Sequence, residues 1–140
     1  MNRDFEIANG IYLVQPPYEL DLHNNFDFMG LHYSVKDRTL LLSWRRSNRE
    51  WIASDTPASV SVEFCEVSEF RFFPRSAELP FSEDDCVNSF GYWTDEDWAG
   101  GVIVAEPGKS PDSNWATAID FMSGAVITVQ ATSAHARIET

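Results

Sequence analysis

The sequence predicts an all-β protein, either an antiparallel β-sandwich or a partly open β-barrel, of about nine or ten short strands with little helix. Apolar and polar residues alternate with period two through much of the chain, whereas helical spacing is scarce. Turn residues recur about every eight to twelve positions, as they do in sandwiches and barrels. Because the chain has 140 residues, 44% of them hydrophobic, we expect one domain over residues 1–140 with its own core.

The first predicted element is a hairpin near the amino terminus. Residues 5–8 and 11–14 flank Asn9-Gly10, the dipeptide that best supplies the positive φ angles of a type I′ turn. Pro16-Pro17 follows the second strand. These prolines are expected to end the hairpin, because proline has no N–H group to donate to a strand ladder.

A second hairpin is predicted from residues 28–35 and 40–44, which flank a polar turn. Apolar side chains of the two segments share one face of the hairpin, namely Leu31, Tyr33 and Val35 opposite Leu40, Leu42 and Trp44. The consecutive leucines at 40–42 break the alternation. They indicate either a strand covered on both faces or the ragged edge of a packed strand.

The middle of the chain contains four further candidate strands. Residues 60–64 and 69–73 alternate clearly, and a turn or bulge is expected between them at 66–68. Residues 88–93 and 101–105 have a weaker pattern. An unpaired edge at 88–93 would allow two copies of the chain to join as a homodimer.

A closing hairpin is predicted from residues 115–121 and 127–131, with Ser123-Gly124 in the turn. The sequence predicts little helix. We expect at most a single helical turn, at residues 49–54 or 95–99.

The charge is acidic and unevenly divided. The formal net charge is −12; residues 1–75 hold eleven acids and eight bases, whereas residues 76–140 hold eleven acids and two bases. Such a chain should repel nucleic-acid phosphates and anionic lipid, and should attract basic proteins or small cations. We therefore expect a basic protein partner, with neither nucleic acid nor membrane as a target. The alternative is that the surplus carboxylates only keep the protein soluble.

Residues 78–106 carry the strongest functional signal, since they contain eight acids and no Lys or Arg, with aromatic residues between the acids. A field of one sign beside apolar rings is typical of a protein-recognition surface. The predicted partner-binding residues are the acids Asp84, Asp85, Asp95, Glu96 and Asp97 and the aromatic anchors Tyr92 and Trp98.

Motifs for chemistry are weak. Residues 95–106 have some of the spacing of a calcium loop, but Ala99 and Ile103 occupy ligand positions, so we expect no metal site. The sequence contains no nucleophile elbow, zinc-protease motif, phosphate-binding glycine loop or C-x-x-C pair. We expect no cofactor and favour a protein without catalytic activity. An enzyme remains an alternative, because catalytic residues can meet in space without a sequence signature.

Two features indicate a cytoplasmic location. Cys65 and Cys86 have no metal-like spacing and are expected to be free thiols. The sequence also begins without a segment typical of a signal peptide, and no run of residues is apolar enough to span a membrane.

The overall composition, short, acidic, rich in tryptophan and without a catalytic motif, is similar to that of small immunity proteins of bacterial toxin systems. This resemblance implies an inhibitor that docks a basic toxin, with fast association through electrostatic steering. Our leading hypothesis is a non-enzymatic acidic protein-binding domain, of inhibitor or immunity type. Its alternatives are a β-barrel or β-sandwich that binds a small ligand, and an enzyme without a recognisable motif.

Overall fold

The chain folds almost entirely into β-strands, as the sequence predicts. The computed structural model describes residues 1–95, 101–105 and 110–140. Within these ranges there are ten strands and one 3-10 turn, η1. The elements are β1 Asn2–Arg3, β2 Glu6–Ala8, β3 Tyr12–Gln15, β4 Tyr18–Asp21, β5 Phe26–Ser34, β6 Thr39–Arg46, β7 Ser59–Phe73, η1 Phe81–Asp85, β8 Val87–Trp93, β9 Ala116–Phe121 and β10 Val126–Glu139.

The strands form two sheets. The larger sheet has the order β5-β6-β7-β10-β9-β8 with antiparallel pairs, and β1 joins it parallel to β10. This sheet curls into a half-barrel, which corresponds to the partly open barrel of the prediction. The smaller sheet has the order β2-β3-β4, and its buried residues belong to the same core as those of the half-barrel.

Aromatic and aliphatic side chains fill the half-barrel. Phe28 on β5 contacts Trp44 on β6, with ring centroids 5.2 Å apart, and Phe121 on β9, with centroids 4.8 Å apart. Because β5 and β9 are not neighbours in the sheet, the second contact requires the sheet to curl. Burial of each large side chain contributes about 1.5–3 kcal/mol. The largest fully buried side chains include Trp44, Phe26, Phe64, Phe90, Leu13, Leu22, Leu40 and Leu42.

The amino-terminal hairpin forms as predicted. Asn9 and Gly10 have φ angles of 51° and 72°, which match the type I′ turn inferred from this dipeptide. The Gly10 carbonyl accepts a hydrogen bond from the Phe90 N–H on β8. The chain continues directly after Pro16-Pro17 into β4, which the sequence analysis did not include. The prolines lie in the turn, where they cost no ladder hydrogen bond.

The second hairpin also forms, with Leu31 opposite Leu42 and Tyr33 opposite Leu40 on one face. Val35, which was expected on this face, lies in the turn after β5 and is exposed. β6 lies between β5 and β7 in the sheet, and Leu41 is half-buried on the face opposite Leu40. The three leucines therefore mark an inner strand of the sheet.

One bent strand, β7, replaces the two separate strands predicted at 60–64 and 69–73. Glu66 has a positive φ of 53°, and the register with β10 shifts at this level, so the predicted bulge is present. Beyond it, the Phe70 ring lies 4.7 Å from the Tyr33 ring of β5. The bulge thus turns the second half of β7 towards β5.

Three weaker predictions differ from the structure. The predicted strand at 101–105 is a single bridge between Ile103 and Tyr92. The segment 49–54 forms a turn, in which the Ile52 N–H donates to the Arg49 carbonyl, and helical structure occurs instead at η1. The other candidate turn, at 95–99, lies mostly outside the described residues. Among the described residues, no helix has the length and apolarity needed to cross a bilayer.

Candidate functional site

The structure distributes the sequence-predicted site residues over different surroundings. Asp84 and Asp85 lie in η1 at the surface, whereas Asp95 follows β8 and lines a separate polar groove with Arg71. Tyr92 is buried with 4% of its surface exposed, so its ring is not available as the outward anchor that the sequence analysis expected. Glu96, Asp97 and Trp98 lie outside the described residues.

The 3-10 turn η1 is tied to the barrel by two backbone hydrogen bonds, at Glu83 and at Cys86. It begins after Pro80, whose carbonyl accepts the Glu83 N–H at 3.0 Å. The Ser123 N–H donates to the Glu83 carbonyl at 3.2 Å, and the Met122 N–H donates to the Cys86 carbonyl at 2.9 Å. The bonds from Ser123 and Met122 connect η1 to the turn between β9 and β10. The acidic residues of η1 are therefore presented by a backbone that the barrel fixes in place.

Arginines neutralise two of the predicted acids. The Nε of Arg75 lies 2.8 Å from Asp84 Oδ1, and its hydrogen bond lowers the pKa of Asp84. Arg71 donates two hydrogen bonds to Asp95, of 2.8 and 3.1 Å, and lowers the pKa of that carboxyl in the same way. The free negative charge at these two positions is consequently smaller than the sequence alone suggests.

Asp85 differs from its neighbour. Burial raises the pKa of Asp85, and the negative charge of Asp27 raises it further, although Arg49 acts in the opposite direction. A raised carboxyl pKa means that the ionised form is poorly compensated by its surroundings. A positive group arriving beside Asp85 would relieve this imbalance.

An apolar groove of about 410 Å³ runs between β5 and η1, and we refer to it as the β5–η1 groove. Three of its apolar side chains are exposed: 81% for Phe81, 57% for Phe72 and 53% for Met29. It is an open groove at the surface. The lining residues are Phe28, Met29, Gly30, Phe72, Pro74, Arg75, Phe81, Asp84, Asp85, Phe121 and Ala125.

Sequence reasoning found the acids of this groove and missed the apolar residues that β5 and β7 contribute. Phe72 and Met29 are read from the sequence as ordinary members of strands, and only the fold brings them beside η1. Phe81 did carry a usable signal. It lies among the acids of residues 78–106, where the sequence analysis expected aromatic anchors for a partner.

A second pocket of about 410 Å³ lies on the other side of Asp85 and also contains His23, Asp27, Glu83 and Cys86. It brings one histidine together with three carboxylates, which is an arrangement that an acid–base enzyme would use. The exposed Trp51 ring and Arg49, whose guanidinium lies 5.1 Å from the centre of that ring, also line this pocket.

The His23 and Cys86 side chains do not form a nucleophile pair. The His23 Nδ1 lies within hydrogen-bonding distance of the Val87 carbonyl, so Nδ1 carries the hydrogen in that contact. The Cys86 sulfur is 3.8 Å from the same nitrogen. Burial raises the pKa of the Cys86 thiol, and Glu83 and Asp85 raise it further. Cys86 is therefore protonated and unreactive at neutral pH.

Within residues 1–95, 101–105 and 110–140, no group of three or more His, Cys, Asp or Glu side chains has an arrangement that could hold a metal ion. Both cysteines are free thiols.

Comparisons of the chain with protein-family models, with curated protein sequences and with solved structures find no match.

Proposed function

We propose that this chain is a non-enzymatic protein-binding domain of inhibitor or immunity type, which acts in the cytoplasm and docks a basic partner at the β5–η1 groove. The exposure of Phe81 carries the proposal. This ring is 81% exposed and stands beside the acids of η1. A large exposed ring next to an apolar groove is typical of an interaction site, because its burial on binding supplies much of the affinity.

The electrostatic balance around η1 favours a cationic partner. Four carboxylates and two guanidinium groups line the groove and the adjoining pocket, so the local formal charge is 2 − 4 = −2. The carboxylates are Asp27, Glu83, Asp84 and Asp85, and the guanidinium groups are Arg49 and Arg75. The whole chain, at −12, adds a long-range field that steers a basic protein towards it.

The proposed site shares part of the sequence-predicted site. Asp84 and Asp85 remain in it, while Phe81 takes the anchoring role that the sequence analysis gave to Tyr92. Asp95 lines a different groove, where Arg71 engages it.

A selection with random short peptides displayed on phage tests the proposal with the purified protein as bait. We expect the enriched peptides to contain more Lys and Arg than the starting library, together with aromatic or aliphatic residues. Binding of a synthetic enriched peptide should weaken as salt is added, because screening reduces the attraction between the charges. Titration of the labelled peptide with the protein measures the affinity.

Three variants locate the binding surface. Phe81→Ser and Asp85→Lys should each reduce the affinity of the enriched peptide by about ten-fold or more. Glu139→Lys makes the same charge change at the end of β10, outside the groove, and should reduce it far less. Equal losses for Asp85→Lys and Glu139→Lys would contradict a local site and leave only general charge attraction.

A second candidate function, an enzyme, is favoured by one observation, the gathering of His23 with three carboxylates in one pocket. Incubation of the protein with a cell extract, followed by mass spectrometry of small molecules, tests this alternative. Depletion of a compound by the wild-type protein and not by His23→Gln would support it. Identical extracts would leave the binding function as the better account.

A further inference from the structure

The two outer strands of the half-barrel, β5 and β8, have different environments. On β8, the Phe90 N–H donates to Gly10, Tyr92 exchanges two hydrogen bonds with Ile103, and the Val87 carbonyl contacts the imidazole of His23. The free side of β8 is therefore largely occupied, in contrast to the open edge expected at residues 88–93.

From Met29 to Ser34, the outer side of β5 makes no backbone hydrogen bonds in the described part of the chain. The backbone hydrogen bonds of this strand beyond residue 28 are made with β6, and none to another element is present there. A bulge shifts the register between Phe28 and Gly30. The regular portion available for pairing thus runs from Gly30 to Ser34.

Apart from the bulge at its start, this open edge lacks the usual protection. Natural edge strands carry charges or prolines that discourage pairing with other chains. Residues 28–34 contain no Asp, Glu, Lys, Arg or Pro. They include Met29 and Leu31, which are 53% and 38% exposed. An unprotected, partly apolar edge of this kind is a template for an additional strand.

Phe28, which lines the β5–η1 groove, lies opposite Trp44 on the same face of the sheet as Leu31. Leu31 and Tyr33 share a face with the buried Leu42 and Leu40. Cross-strand neighbours point to the same side of a sheet, so every second side chain of an added strand would point to this side. Phe72 from the bent half of β7 and Phe81 provide apolar surface there.

We infer that β5 is the docking strand: an extended basic segment of the partner pairs with its outer edge at Gly30 to Ser34 and places alternate apolar side chains in the β5–η1 groove. This inference rests on the proposed function and specifies its binding mode. A second copy of the chain is the less favourable occupant, because each copy has a net charge of −12 and the copies repel each other. Asp85, an exposed carboxylate that lines the groove, instead favours a cationic segment.

N-methylation of the enriched peptide, one position at a time, tests for strand pairing. Each methyl group removes one backbone donor and leaves the side chain unchanged. In a paired strand only alternate N–H groups point at the neighbouring strand, so methylation at every second position should reduce the affinity by about ten-fold. Hydrogen exchange of the protein should show new protection within Gly30 to Ser34 when the peptide is bound.

Two substitutions on β5 provide a matched comparison. Leu31→Lys introduces a charge on the strand face that Leu31 shares with the groove residue Phe28, and it should strongly reduce binding. His32→Lys introduces the same side chain one residue along, on the opposite face of the strand, and should retain most of the affinity. Thermal melting of both variants confirms that they are folded.

The outcomes separate this inference from the proposed function. If the peptide binds and Phe81→Ser abolishes binding, but methylation has no alternating effect and β5 gains no protection, the strand-pairing mode is wrong and the function stands. If no peptide is enriched, both fail. If β5 becomes protected as the protein alone is concentrated and its mass doubles, the occupant is a second copy and the inference is overturned.

Discussion

Asp84 and Asp85 show how strongly the surroundings of a carboxylate decide its contribution to the stability of the folded protein. They are adjacent in η1, yet the pKa of Asp84 is lowered by a hydrogen bond from Arg75, whereas the pKa of Asp85 is raised by burial and by Asp27. A lowered pKa stabilises the folded protein above the ordinary Asp value, and this contribution is lost as the pH falls through the folded-state pKa. A raised pKa destabilises the ionised folded state, and acid removes that cost.

The two aspartates should therefore respond to amide substitution with opposite signs. At neutral pH, Asp84→Asn should lower the melting temperature slightly, and Asp85→Asn should leave it unchanged or raise it. Both differences should vanish in acid, below both folded-state pKa values, because the wild-type carboxyls are then protonated. Thermal melts over a pH series measure this. A decrease of equal size in both variants at neutral pH would contradict the assignment.

Two phenylalanines should separate stability from recognition. Phe64 is fully buried, so Phe64→Ala should lower the free energy of unfolding by about 3–5 kcal/mol. Phe81 is largely exposed, and its ring contacts the Arg75 guanidinium at 4.6 Å. Phe81→Ser should cost less than about 1 kcal/mol, the typical strength of an exposed cation–π contact. Urea unfolding measures both; a large loss for Phe81→Ser would mean that this ring serves the fold.

At the level of elements, the position of the segment 101–105 against β8 depends on a glycine in that strand. A Cβ atom at Gly91 would overlap the carbonyl oxygen of Ile103. Gly91→Ala should therefore displace this segment, and the amides of Tyr92 and Ile103 should lose protection from hydrogen exchange. Ser89→Ala, on the same strand, should leave both amides protected. Unchanged protection in Gly91→Ala would show that the segment can shift without releasing β8.

The elements that the sequence predicted best are those specified by local turn chemistry. Asn9-Gly10 identifies its hairpin because few other residues tolerate two positive φ angles. The second half of β10 has no such signal. The predicted strand ends at residue 131, whereas Ser133, His135 and Arg137 continue β10 because β7 pairs with them from far along the chain.

The candidate site was predictable only in part, for the same reason. The acids of η1 are visible as a cluster in the sequence. The ion pair of Arg75 with Asp84 and the approach of Phe72 depend on the path of β7 after its bulge, which no local pattern encodes.

At the scale of the whole molecule, the net charge of −12 should give salt two opposite effects. Added salt screens the repulsion among the carboxylates and should raise the melting temperature of the free protein. The same screening should weaken binding of a basic peptide. Melting and titration over one salt series measure both. A melting temperature that falls with salt would indicate that the ion pairs outweigh the general repulsion.

The unequal edges of the half-barrel limit how far copies of this protein can polymerise. Growth of a fibril by edge-to-edge addition needs an accepting edge on both sides of every subunit. Here Gly10 and Ile103 occupy the outer side of β8. Assembly through β5 therefore stops once two copies have paired. A partner segment paired with β5 would cover the remaining open edge, so the complex should aggregate less readily than the free protein.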